Sequence, residues 1–140
     1  MGRYTWMILL DMTSSYSTRT KTFVLYWLPV ILYCGVIFIQ SSYPSTQSLP
    51  RFLHADKLIH AGAYALLGFL FFRAFQATKI QKGIVLLIIF SGLASSLYGV
   101  SDEIHQSFVP SRTASIADVL ADTAGSFLGA VVAQFILNRQ

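Results

Sequence analysis

Charged side chains make up only 11% of this 140-residue chain, cysteine occurs once, and no segment carries a long run of one charge sign. The first scarcity excludes an ordinary water-soluble domain, in which about a quarter of the residues are Asp, Glu, Lys or Arg. Intrinsic disorder is excluded on the same ground, because disordered segments are rich in charge and poor in apolar residues. A single cysteine makes no internal disulfide, and Cys34, set among Tyr33, Gly35, Val36 and Ile37, reads as a buried thiol and not as a nucleophile. The ten Lys and Arg are spread in ones to threes between apolar stretches, so the net charge of +4 does not form a nucleic-acid-binding face. HExxH, GxSxG, P-loop and CxxC patterns are missing as well, which removes the standard metal, nucleophile and phosphate-binding motifs.

What the chain has in excess is apolar surface: 54% of its residues are hydrophobic and 14% aromatic. This material falls into four stretches. Phe23 to Ile39 is followed by Gln40, Ser41 and Ser42, Leu58 to Phe72 extends to Phe75 if Arg73 snorkels, Gly83 to Ser101 is free of charge, and Ser115 to Leu137 carries Asp118 and Asp122 in its first turns. About 20 residues of helix cross a hydrocarbon layer of about 30 Å. The reading is an all-α polytopic membrane protein of four transmembrane helices, with residues 1–22 as an N-terminal lead-in and 23–140 as a single four-helix domain. Pro29 falls inside the first span, where neighbouring helices satisfy the freed carbonyl. The apolar run Tyr4 to Leu10 is too short for a signal peptide, and Met12 is an alternative start.

Arg3, Arg19 and Lys21 precede span one, Arg73, Lys79 and Lys82 separate spans two and three, and Arg139 follows span four. On the other side stand Arg51, Lys57 and Arg112. Seven basic residues against three orient both termini to the cytoplasm. The connections Ser41 to Lys57 and Asp102 to Ala114 then face outward, and the protein is expected in the cell membrane with membrane lipids as its surroundings.

The residues that lipid tolerates least gather at the outward ends of these spans. Asp56, Lys57 and His60 open span two, Asp102, Glu103, His105 and Gln106 close span three, and Asp118 and Asp122 open span four, with Arg112 in the loop between. Ionisable groups at membrane depth are costly and face a bundle interior or a wet cavity, so a functional pocket is the default expectation. His60, Tyr64 and Gly68 share one helix face, as do Asp118 and Asp122. Beside them runs the ladder Ala121, Gly125, Gly129 and Ala133, and span three offers Ser91, Ser95 and Gly99 at the same spacing. Such ladders admit a close backbone neighbour, within the bundle or in a dimer.

Each residue also has a purely structural reading. Asp56 caps span two, Ser115 and Asp118 make a capping box, His105 and Gln106 sit solvated in a loop, and His60 is a satisfied core histidine. Asp102 opposes the helix dipole and calls for a cation, with Arg112 and Lys57 as candidates. Asp122 lies beyond capping range and needs a partner or water. As a pocket, the set suits acid–base chemistry, divalent-metal ligation or proton relay, and spacing does not choose among them. The N-termini of spans two and four favour an anion, which Arg112 would clamp bidentately.

The string "DKLIHAGAYALLGFLFF", followed by "YGVSDEIHQSFVPSRTASIADVLADTAGSFLGA", resembles the VanZ-like family of small bacterial membrane proteins. The resemblance covers about residues 32–132 and carries the family's polar pattern onto Asp56, Lys57, His60, Tyr64, Asp102, Glu103, Gln106, Arg112 and Asp118. The chain departs from that pattern at Ser111, where Gly commonly precedes the Arg, and at Asp122, where Asn is common. The resemblance implies a cell-envelope setting and a link to resistance against the lipoglycopeptide teicoplanin, without a reaction. The expectation is an enzyme acting on an amphipathic lipid-linked or glycosylated envelope molecule. His60, Asp102, Glu103, Arg112 and Asp118 would be its catalytic set, with Lys57, Tyr64, Gln106 and Asp122 in contact with substrate. The competing readings are a non-catalytic lipid or lipopeptide binder and a proton-coupled carrier working through His60, Asp118 and Asp122.

Overall fold

The computed structural model describes residues 18–44, 55–78 and 83–138. The N-terminal lead-in up to residue 17, including Met12, lies outside the described residues, as do Arg3, Arg51, Lys79, Lys82 and Arg139 of the charge count. Among the described residues the chain is all-helical. Four helices are long and apolar enough to cross a membrane: α1 (Thr18–Ser42), α2 (Ala55–Thr78), α3 (Ile84–Gln106) and α4 (Ile116–Leu137). The chain is thus a multi-pass membrane protein in its architecture. Large exposed apolar residues such as Leu32, Val36, Leu66, Leu97, Leu128 and Phe135 supply the lipid-facing surface.

The helices outrun the apolar stretches at the polar end. Span two begins at Ala55 and takes in Asp56 and Lys57, while α3 continues through Asp102, Glu103, His105 and Gln106 before it stops. His105 and Gln106 therefore belong to a helix, and Gln106 is buried, which corrects the reading of a solvated loop pair. The cause is packing: these side chains have partners on neighbouring helices, described below, and a helix satisfies its own backbone.

Contacts at the two ends fix the topology. Lys57 meets Asp118 near the starts of α2 and α4, and Gln76 meets Asn138 near their ends, so these two helices run parallel. Ser42 meets His105 at the ends of α1 and α3, which run the other way. The N-termini of α2 and α4 and the C-termini of α1 and α3 therefore share one end of the bundle.

The centre of the fold is the α2–α4 pair, with α3 packed against both. The small-residue ladder of α4 is spent here and not on a dimer: a Cβ on Gly125 would strike the carbonyl of Ala61, one on Gly129 the carbonyl of Ala65, and one on Gly68 the carbonyl of Ser126. Two backbones in contact bring their side chains into the same layer, including His60 and Asp122. Further along, Phe72, Leu87, Ala130 and Ala133 close the other half of the bundle with an apolar core.

Helix α1 is the outlier, with only 11% of its most apolar window buried against 28–33% for the others. It contacts α2 and α3 and leaves α4 alone. Its first part contains a π-helical stretch, Phe23–Trp27, directly before Leu28 and Pro29. The wider turn receives the proline, which has no N–H to donate and whose ring would crowd the preceding α-turn. Trp27 then rests edge-on against Phe71 and Phe75 at centroid distances of 6.5 and 5.4 Å. Arg73 in α2 turns its guanidinium over the Tyr26 ring, 5.3 Å from the centroid.

The glycine contacts give a direct test. Gly125→Ala and Gly129→Ala are expected to cost about 1–3 kcal/mol each, because backbone and not a flexible side chain must yield. Gly62→Ala, with nothing within 4 Å of the added Cβ, is expected to stabilise by up to about 1 kcal/mol. Thermal midpoints in detergent or nanodiscs check both signs.

Candidate functional site

The polar end holds two connected groups of side chains. The first lies between α2, α3 and α4. His60 Nδ1 stands 3.0 Å from Asp122 Oδ1 and 4.0 Å from Glu103 Oε1. With Asp122 ionised, its oxygen accepts and His60 Nδ1 is the donor in this contact. One donor atom from each of the three residues falls within 4.8 Å of the others. Lys57 Nζ donates to Asp118 Oδ1 at 3.1 Å and to Asp56 Oδ2 at 2.9 Å, forming the rim of this group.

The second group lies between α1 and α3. Gln106 Nε2 donates to Asp102 Oδ2 at 2.9 Å, one turn back along the same helix, and reaches the Ser41 hydroxyl at 3.5 Å. Arg112 donates through Nε to the Tyr43 carbonyl at 3.1 Å and through Nη2 to the Gln40 carbonyl at 3.0 Å. Its Nη1 reaches Gln106 Oε1 at 3.4 Å. The guanidinium thus caps the negative end of the α1 dipole. Asp102 receives the neutral amide of Gln106 where a cation was expected, and among the described residues neither Arg112 nor Lys57 pairs with it. An anion clamp by Arg112 would have to break these bonds first.

Tyr64 joins the two groups. It is 1% exposed, and its hydroxyl sits beside Asp102 without meeting the geometry of a hydrogen bond. Gly99 makes this junction: an added Cβ there would lie 3.0 Å from Asp122 Cβ and 3.2 Å from Tyr64 Cε1. The spacing Ser91, Ser95, Gly99 carries the signal for this position. One turn deeper, Ser126 Oγ donates to the Asp122 carbonyl and meets Ser95 Oγ, both at 2.7 Å.

The capping expectation at Ser115 takes another form. Its side chain makes no cap, and Asp118 is engaged with Lys57. Instead Glu103, from α3, accepts the Ser115 N–H through Oε2 at 2.9 Å. The acid that answers the free N–H comes from a different helix, which sequence spacing cannot reveal. His105 turns away from both groups, bonding Ser42 Oγ at 3.0 Å and stacking on Phe38 at 4.5 Å.

The most telling feature is what these groups leave undone. Among the described residues, Asp102 Oδ1, Glu103 Oε1, Asp122 Oδ2 and the Tyr64 hydroxyl are buried without a hydrogen-bond partner. Their residues are 5%, 4%, 0% and 1% exposed. An unsatisfied buried polar group costs about 1–3 kcal/mol, and more when charged. Four such atoms gather at one end of the bundle.

The fold and this layer define a class: a polytopic helical membrane protein with a buried acidic site at one end of its bundle. The sequence profile of the family described as VanZ/LLP1 matches residues 5–137, and the chain belongs to that family. No curated protein and no solved structure matches it.

Beyond α3 the chain passes through successive turns, closed by Phe108 N to His105 O and Arg112 N to Val109 O, to reach Ser111 with φ 64°. This left-handed conformation favours glycine, the residue common here in the family pattern, and it aims Arg112 back at α1. Ser111→Gly is expected to stabilise by about 0.5–1 kcal/mol, and Ser111→Val to destabilise by about 1–2 kcal/mol. Paired unfolding curves of the two variants check the sign.

Proposed function

We propose that this protein is an integral enzyme of the bacterial cell envelope that acts, from the extracytoplasmic side, on the anionic head of an amphipathic lipid-linked or glycosylated molecule. The observation that carries the reading is the group of buried oxygens, unpartnered among the described residues, around His60, Glu103 and Asp122 at the polar end of the bundle. The N-termini of α2 and α4 open at the same end, and Lys57 stands at its rim, so an approaching anion meets two helix dipoles, and meets a cation once it displaces Asp56 or Asp118 from Lys57. His60 and its two carboxylates carry the chemistry, Lys57 receives the head, Asp118 holds the Lys57 ammonium in place, and Tyr64, Asp102, Gln106 and Arg112 hold the wall formed with α1. The count of basic residues by loop supports the outward orientation. Family membership supports the envelope setting and a contribution to teicoplanin resistance.

The apolar layer of Phe72, Leu87, Ala130 and Ala133 argues against a proton-coupled carrier, because beyond the Ser95–Ser126 contact α3 offers only Ser91, whose hydroxyl is turned back onto the Leu87 carbonyl of its own helix.

The test offers the protein in nanodiscs a total lipid extract of a bacterial envelope and follows each anionic species by mass spectrometry. Turnover of one species by wild type, lowered about 100-fold or more by His60→Ala at normal folded yield, is the expected result. A species that is retained but not consumed makes the protein a capture protein, and the absence of both retention and turnover overturns the reading. In a bacterium expressing the chain, Asp118→Ala and Lys57→Gln are each expected to reduce teicoplanin tolerance, read as a minimum inhibitory concentration.

A further inference from the structure

We propose that His60, Glu103 and Asp122 bind one divalent transition-metal ion, of the Zn²⁺ or Mn²⁺ type, at the polar end of the bundle. This deepens the function proposed above and rests on it only for what the ion would act on.

Charge gives the first argument. Asp102, Glu103 and Asp122 bring three buried acids into one layer with a single imidazole. The nearest cations among the described residues are committed elsewhere, Lys57 to Asp56 and Asp118, and Arg112 to the carbonyls of α1. Removing an ionised carboxylate from water costs several kcal/mol unless a positive charge stands beside it. A divalent ion supplies that charge where ligand atoms of His60, Glu103 and Asp122 lie within 4.8 Å of one another.

Geometry gives the second. Ligand atoms about 2.1 Å from a common metal stand about 3–3.5 Å apart. The structure holds His60 Nδ1 3.0 Å from Asp122 Oδ1 and 4.0 Å from Glu103 Oε1, so small rotations of side chains complete the set. Both carboxylates keep an oxygen without a partner, Glu103 Oε1 and Asp122 Oδ2, and both residues are more than nine-tenths buried. Supporting contacts are also in place. The second oxygen of Glu103 is fixed by the Ser115 N–H, and Asp122 is backed by Gly99.

Ligand chemistry selects the ion class. One imidazole with two carboxylates suits Zn²⁺ or Mn²⁺ better than Mg²⁺ or Ca²⁺, whose preferred donors are all oxygen. Three protein ligands leave coordination positions for water or for an oxygen of a bound head. When the ion takes Nδ1, the single proton of the neutral imidazole is carried on Nε2 instead, so no proton is lost and the site gains the two positive charges of the ion.

The experiment strips the purified full-length protein with a chelator and titrates Zn²⁺, Mn²⁺, Mg²⁺ and Ca²⁺ separately. Metal content and thermal midpoint are followed together. The expected result is one equivalent of Zn²⁺ or Mn²⁺ and a midpoint raised by about 5 °C or more. Glu103→Gln and Asp122→Asn, which keep side-chain size and remove a buried charge, are expected to fold at least as stably as the stripped wild type and to lose that response. Should either variant fail to fold, X-ray absorption of the Zn²⁺-loaded wild type decides, with one imidazole in an otherwise oxygen shell expected. Absence of bound metal and of any midpoint shift overturns the proposal. So does a shift that survives in both variants, or a shell containing the Cys34 sulfur. Metal bound by a protein that ignores every envelope lipid leaves this site standing and ends the function proposed above.

Discussion

The contact of the α2 backbone with the α4 backbone determines where everything else in this protein sits. Gly125 and Gly129 let Ala61 and Ala65 come close enough that no side chain fits between them. In lipid, where apolar surface gains little by leaving the solvent, such contact is the main way two helices hold a fixed distance and rotation. That rotation sets His60 opposite Asp122 and leaves α3 to bring Glu103 to the same point. The polar layer is thus positioned by the least polar residues of the chain.

The price of the arrangement is visible in the same layer, where oxygens of three acids and a tyrosine stay unsatisfied. Elsewhere the bundle does satisfy its buried polar groups: Ser91 and Ser96 donate back to their own helix, and Ser126 spans to Ser95. The contrast within one small bundle is informative. Among the described residues each of the three carboxylates has a partner on one oxygen and none on the other, and such half-satisfied buried groups are confined to this layer.

Much of this was legible in sequence. The four spans follow from the need to cover lipid with apolar side chains, and the polar residues at 56–60, 102–106 and 118–122 marked one end because a membrane permits them nowhere else without reason. The GxxxG ladder announced a close approach. Which helix it would meet was not legible, since Ala61 and Ala65 present only a carbonyl at the contact. Arg112 shows the same limit more sharply: its acceptors are the backbone oxygens of Gln40 and Tyr43, which no residue type reports. The link from Glu103 to Ser115 was hidden because the capping acid arrives from another span. The helical placement of Gln106 was hidden because its burial depends on α1, far away in the chain.

Helix α1 differs from its companions in having little of its length enclosed, and its firmest polar ties collect where Arg112 and His105 meet its last turn, with Tyr33 and Tyr98 adding single bonds nearer its middle. A bundle loosens first where the fewest contacts must be broken. Its weakest flank is therefore the seam that α1 covers, and behind that seam lies the wall of Gln106, Asp102 and Tyr64. Parting that seam would uncover Gln106, Asp102 and Tyr64 while leaving the α2–α4 contact whole, since α1 touches only α2 and α3 among the described helices.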